Sequence, residues 1–135
     1  MRKLLFDLDR TLWKCTVEYH PKLKTPYVYE ETKEVLAHLQ DKGYSMNITS
    51  RSSEPEKCHY FLDTLFPKIH FDRRAIYPTR FNKLKHIADV RASNGKFIMF
   101  DDEKHILDTV SKMYPEALTI LCDQPLNWNL IKNIF

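Results

Sequence analysis

The sequence holds only two glycines in 135 residues. Both fall between a helical pattern and an apolar run, at QDKGYS and SNGKF, where a chain leaving a helix favours the left-handed conformation. Cysteine is scarce too: Cys15, Cys58 and Cys122 are an odd number without a CxxC pair. That excludes a disulfide framework and points to a reducing, cytoplasmic setting. No apolar run approaches the roughly 20 residues of a membrane span, and the short apolar start broken by acids is not a signal peptide. Repeats, linkers and low-complexity segments are missing. The six histidines show no metal-ligand spacing, and Cys58-His59 reads as helix packing rather than a zinc site. Charge of one sign is also lacking. Twenty-one basic against 18 acidic residues leave a net +3, which suits an anionic substrate without requiring nucleic acid. The aromatics of 60–66 lack the spacing of a base-stacking platform.

What is present is a globular composition, 43% hydrophobic and 29% charged, in a chain of single-domain length, 1–135. Such a chain can bury a core without staples. Apolar runs alternate with amphipathic stretches. KLLFDL (3–8), YSMNITS (44–50), Ile69 to Ile76, KFIMF (96–100) and LTILC (118–122) read as strands. Helices are predicted near 31–42, over EPEKCHYFLDTLF (54–66), around Leu84 to Arg91, from Glu103 to Met113, and near Trp128 to Ile134. This alternation predicts an α/β fold with a mainly parallel sheet and helices on both faces. The stretch 13–30 is the one long connection without a clear period, and such loops are often functional.

Open parallel sheets bind ligands at the carboxyl ends of their strands. Here those ends carry Asp7, Asp9 and Thr11, then Thr49, Ser50 and Arg51, then Asp101 and Asp102, with Lys83 opening the helix after the third strand. Taken singly, each has a plain reading as a cap, a turn residue or a solvated lysine. Together they place two acidic pairs, a hydroxyl cluster and two cations on one rim. That set suits phosphoryl transfer. Carboxylates from separate strands can hold Mg²⁺, one carboxylate can attack phosphorus, and another can move the proton. A lysine and a hydroxyl can hold the remaining phosphoryl oxygens.

FDLDRTLW, ITSRS, the lysine of AIYPTRFNKLKHI and IMFDDE resemble, in order, the four motifs of the haloacid dehalogenase superfamily. The closer resemblance is to its magnesium-dependent phosphatase branch, through DLDRTLW, SRSSE and MFDDE. The resemblance implies a three-layer Rossmann-like domain of about five strands without a cap, and a phosphoric monoester hydrolase working through an aspartyl-phosphate. It also implies roles. Asp7 would be nucleophile and metal ligand, and Asp9 the acid/base with its carbonyl toward the metal. Asp101 or Asp102, or both, would complete the Mg²⁺ site. Ser50 and Lys83 would bind phosphate, Thr11 would orient the first loop, and Arg51 would contact substrate. Two departures stand out: Ile106 and then Asp108, where relatives often carry Asp or Asn soon after the acidic pair, and Arg10 where an aromatic residue is expected.

The expected partner is a phosphorylated substrate, small or macromolecular, with protein phosphotyrosine or a sugar phosphate as candidates and no membrane. A nucleic-acid end phosphatase, a non-catalytic phospho-ligand module, and a receiver-like switch phosphorylated on Asp7 without rapid hydrolysis are the rival readings. Only 13–30 is left over as a flap, and its Trp13, Lys14, Tyr19, Lys22, Lys24, Tyr27 and Tyr29 suit contact with an anionic or aromatic substrate.

Overall fold

The structure is a computed structural model describing residues 3–14, 16–17, 25–78, 83–91, 96–132 and 134. Five strands and five helices alternate: β1 (Lys3–Phe6), α1 (Glu30–Asp41), β2 (Ser45–Arg51), α2 (Pro55–Leu65), β3 (Arg73–Tyr77), α3 (Leu84–Arg91), β4 (Phe97–Asp101), α4 (Lys104–Met113), β5 (Leu118–Leu121) and α5 (Trp128–Ile131). All strand pairs are parallel, in the order β3-β2-β1-β4-β5. The chain runs outward from β1 through β2 to β3, then crosses to β4 on the other side of β1. The switch in strand order therefore lies between β1 and β4.

Alternation along the strands builds two cores. Leu4 and Phe6 of β1, with Met46, Ile48, Ile98 and Phe100, face Val35, Leu36 and Leu39 of α1, Phe61 and Leu62 of α2, and Ile131 of α5. Leu5 of β1, with Ala75, Phe97 and Met99, faces Ile87 and Val90 of α3 and Ile106, Leu107 and Val110 of α4. The result is the three-layer, Rossmann-like arrangement expected from the sequence. Among the described residues no cap domain stands over the sheet.

The punctuation follows the sequence at Gly43, whose φ of +89° ends α1, while Gly95 lies outside the described residues. Pro55 opens α2. The third strand begins later than expected: Ile69 and Phe71 pack into the core as loop residues. A hydrogen bond donated by the Asp72 backbone amide to the Met46 carbonyl (2.8 Å) brings the chain alongside β2 just before β3 starts. The first strand stops at Phe6 because the amides of Thr11, Leu12 and Trp13 all turn back to the Leu8 carbonyl. That turn places Arg10 in the left-handed region, at φ 63°, a strained conformation for a residue with a side chain. No helix is long and apolar enough to cross a membrane.

Candidate functional site

The carboxyl ends of β1 and β4 carry the acids to the switch point. The Asp7 amide donates to the Phe100 carbonyl at 2.9 Å, so the first acid leaves β1 still tied to its neighbour. Asp101 is the last residue of β4, and its carbonyl accepts from the Cys122 amide at 2.8 Å. Asp7, Asp101 and Asp102 bring carboxylate oxygens within 4.8 Å of one another. Asp7 and Asp101 are buried and Asp102 half-buried.

Lys83 sits among them, itself 2% exposed. Its Nζ donates to Asp7 Oδ1 at 2.7 Å, Asp101 Oδ2 at 2.6 Å and the Thr49 carbonyl at 2.8 Å. All three ammonium protons are thereby used, and the amine is fixed rather than mobile. Asp7 Oδ2 accepts from the Thr11 hydroxyl at 3.3 Å, and Asp101 Oδ1 from the Glu103 amide at 3.0 Å.

Among the described residues, three buried or half-buried carboxylates face one ammonium, which leaves this group rich in negative charge. Burial pushes Asp7 up to about 7; Lys83 opposes the rise, while Asp102 adds to it through hydrogen bonding and its charge. Asp101 rises to about 6, first through burial and then through the charge of Asp7. Asp102 is raised as well, again chiefly by burial. For Lys83 burial works against the charged form, but Asp7 and Asp101 together outweigh it and hold the amine above its ordinary value. Hard oxygen donors converging from two strand ends, with protonation favoured where positive charge is short, fit a small divalent cation such as Mg²⁺.

The hydroxyls of Thr49 and Ser50, at the end of β2, are buried and have no hydrogen-bond partner among the described residues. A buried hydroxyl left unpaired costs about 1–3 kcal/mol. Ser50 directly follows the carbonyl that holds Lys83. Arg51 extends from the same strand end to Glu103, at 2.7 Å, closing the rim between β2 and the start of α4. His86, three residues beyond Lys83, is fully buried; its ring lies 4.8 Å from that of Tyr77. Burial holds it at about 4, so it is neutral near pH 7.

Asp9 is half-buried, and its carboxylate lies outside the three-acid group. Its Oδ1 accepts from the Trp13 indole at 2.7 Å and the Val17 amide at 3.2 Å. Here the expectation for Trp13 is corrected. It is fully buried, with its ring edge-on to Phe61, and so is not a surface for substrate. The indole bond to Asp9 and the Arg51–Glu103 pair were missed in the sequence. The four-residue spacing of Asp9 and Trp13 within DLDRTLW was the only available signal. Lys14 and Tyr27 are exposed, joined by a 3.0 Å amide-to-carbonyl bond. Tyr19, Lys22 and Lys24, and Cys15, lie outside the described residues. Ile106 is core, packed with Leu107 and Val110, and Asp108 pairs with Lys104 on the surface of α4. The thiols of Cys58 and Cys122 are free and buried, and Cys58 packs in the core as expected.

The chain matches no family model. A comparison with curated proteins finds a relative, human magnesium-dependent phosphatase 1, at 32% identity over 81% of this chain and 72% of the relative.

Proposed function

The chain belongs to the haloacid dehalogenase-type magnesium-dependent phosphatase family, and on that premise we propose that it hydrolyses a phosphomonoester, with Mg²⁺, through an aspartyl-phosphate on Asp7. The observation that carries this reading is the clamp at the switch point. Asp7 is pinned by Lys83 at 2.7 Å and by Thr11 at 3.3 Å, with Asp101 and Asp102 beside it. A carboxylate held on both oxygens keeps one direction of approach to phosphorus, which is what a nucleophile needs.

Asp7, Asp101 and Asp102, with the Asp9 carbonyl, would hold the Mg²⁺. When bound, the ion neutralises charge on the phosphoryl oxygens and lets an anionic nucleophile approach. The remaining work falls to the chain. Lys83, its three N–H groups committed to Asp7, Asp101 and the Thr49 carbonyl, orients Asp7 and sets its positive charge beside the phosphoryl group; a substrate oxygen would satisfy the Ser50 hydroxyl, which has no partner among the described residues. Asp7 attacks phosphorus as the ester P–O bond breaks, and Asp9 gives its proton to the departing oxygen. Asp9 then takes a proton from water. The water oxygen bonds to phosphorus, the Asp7–phosphorus link breaks, and inorganic phosphate leaves with Asp7 restored. Arg51, anchored on Glu103, borders the entrance as a substrate contact.

The substrate candidates are protein phosphotyrosine and a sugar phosphate; that no cap domain stands over the sheet among the described residues supports a phosphate presented on a macromolecule. The test is a screen of phosphotyrosyl peptide, sugar phosphates, nucleotides and phosphorylated oligonucleotides, with Mg²⁺ and with EDTA. Mg²⁺-dependent release from the peptide, absent in Asp7→Asn, is the expected result. Activity only on oligonucleotide ends would replace the substrate assignment, and binding without release would replace the enzyme by a phospho-ligand module.

A further inference from the structure

The loop after β1 carries a large buried side chain with a polar atom. Trp13 is fully buried, and its indole Nε1–H donates to Asp9 Oδ1 at 2.7 Å. The Val17 amide donates to the same oxygen at 3.2 Å. The indole has little freedom to leave. Its ring meets Phe61 of α2 edge-on, at 6.0 Å between centroids and 86° between planes, inside the core that also holds Leu8, Leu12 and Val17. A backbone bridge between Asp9 and Trp13 ties the two residues directly.

A carboxylate oxygen facing two N–H donors has its lone pairs engaged, and a proton placed there would point at a donor hydrogen. A proton carried by Asp9 is therefore confined to Oδ2. We propose that Trp13 is a positioning residue for the reaction, fixing the Asp9 rotamer and assigning proton transfer to one named oxygen. The inference rests on the reading of Asp9 as the acid/base group. It adds what that reading lacks, a reason why one oxygen rather than either serves. Proton transfer depends steeply on donor–acceptor alignment, so a loosened Asp9 should slow the steps that need its proton and leave binding alone. A buried indole must find an acceptor in any case, so the test has to separate a merely satisfied N–H from a positioning one.

The discriminating change is replacement of Trp13 by β-(3-benzothienyl)alanine, which puts sulfur in place of the N–H and keeps the ring. Trp13→Phe is the genetically simpler companion, and Asp9→Asn is measured in parallel. With circular dichroism confirming the fold, kcat/KM is compared across aryl phosphates from poor to good leaving groups, with Mg²⁺ present. The expected result is a loss of about 10- to 100-fold for phenyl phosphate, part of the roughly 10²–10⁴ that acid–base catalysis contributes. The loss should be several-fold smaller for a nitrophenyl phosphate, whose departure needs little protonation, and KM should change little. A folded benzothienyl variant with the wild-type leaving-group dependence overturns the inference. If Asp9→Asn is at the same time severely impaired, the acid/base reading survives and only the role of Trp13 falls. If Asp9→Asn keeps wild-type kcat/KM on poor leaving groups, both fall together.

Discussion

Replacing the proposed nucleophile should make the metal-free protein more stable, and by an amount that depends on pH. In the folded chain burial lifts the Asp7 carboxyl from 3.8 to about 7. Below about pH 4 the group is protonated folded or unfolded, and its ionisation has no bearing on stability. Between those values the unfolded chain releases a proton that the folded chain keeps, so stability falls as pH rises, and the full loss is reached above pH 7. At about 1.4 kcal/mol per tenfold change in proton affinity, the loss is about 4 kcal/mol as an upper figure. Asparagine is nearly isosteric and cannot ionise, so Asp7→Asn escapes it. Lys83 keeps Asp101 at 2.6 Å and the Thr49 carbonyl at 2.8 Å, so the amine is not stranded. Asp101, whose own rise owes its second cause to the Asp7 charge, is eased as well. The assay is thermal unfolding by circular dichroism in EDTA. Near pH 8 the variant should melt on the order of 10 °C above wild type, and near pH 4 the two should nearly coincide. Mg²⁺ should narrow the gap at pH 8 by stabilising the wild type more, because a ligand bound only by the folded state adds to its stability. A variant no more stable than wild type at pH 8, or a gap indifferent to pH, would refute the charge accounting of the site.

Lys83→Met removes the shared counter-ion of Asp7 and Asp101; denaturant titration in EDTA at neutral pH should show a loss of about 3–5 kcal/mol, and steady-state assays should show activity abolished. EDTA should stop turnover and Mg²⁺ restore it, whereas Ca²⁺, with longer bonds and more ligands, should inhibit by letting the nucleophile bind the ion through both oxygens; full activity in EDTA after dialysis would exclude the metal role. Gly43→Ala should cost about 1 kcal/mol in chemical denaturation, from the φ of +89° alone, since an added Cβ meets nothing within 4 Å.

Much of the fold was legible because its signals are local. Period-two and period-3.6 apolar spacing, Gly43 and Pro55 mark elements that the structure contains. The rim was legible for the same reason: Asp7, Ser50 and Asp101 each lie within one residue of a strand end, and a parallel sheet gathers those ends on one side. What escaped depends on tertiary approach. Ile69 and Phe71 read as strand because apolar spacing does not report backbone pairing, which begins only beside Asp72. Lys83 could be placed near phosphate but not between two acids, because its reach to Asp7 spans 76 residues of sequence. Trp13 read as a surface aromatic because it sits in a stretch without period, and its burial is set by α2 packing from elsewhere in the chain.

The central claim is that Asp7 forms a covalent phosphoryl bond, and chemical trapping tests it most directly. The protein is mixed with excess substrate and Mg²⁺, quenched in acid within the first turnovers, and reduced with borohydride, which converts an aspartyl-phosphate to homoserine. Mass spectrometry of the N-terminal peptide should find homoserine at position 7, dependent on Mg²⁺ and more abundant in Asp9→Asn, where hydrolysis of the intermediate is slowed. Phosphate release at the normal rate with residue 7 unmodified, or with the modification on another side chain, would contradict the account.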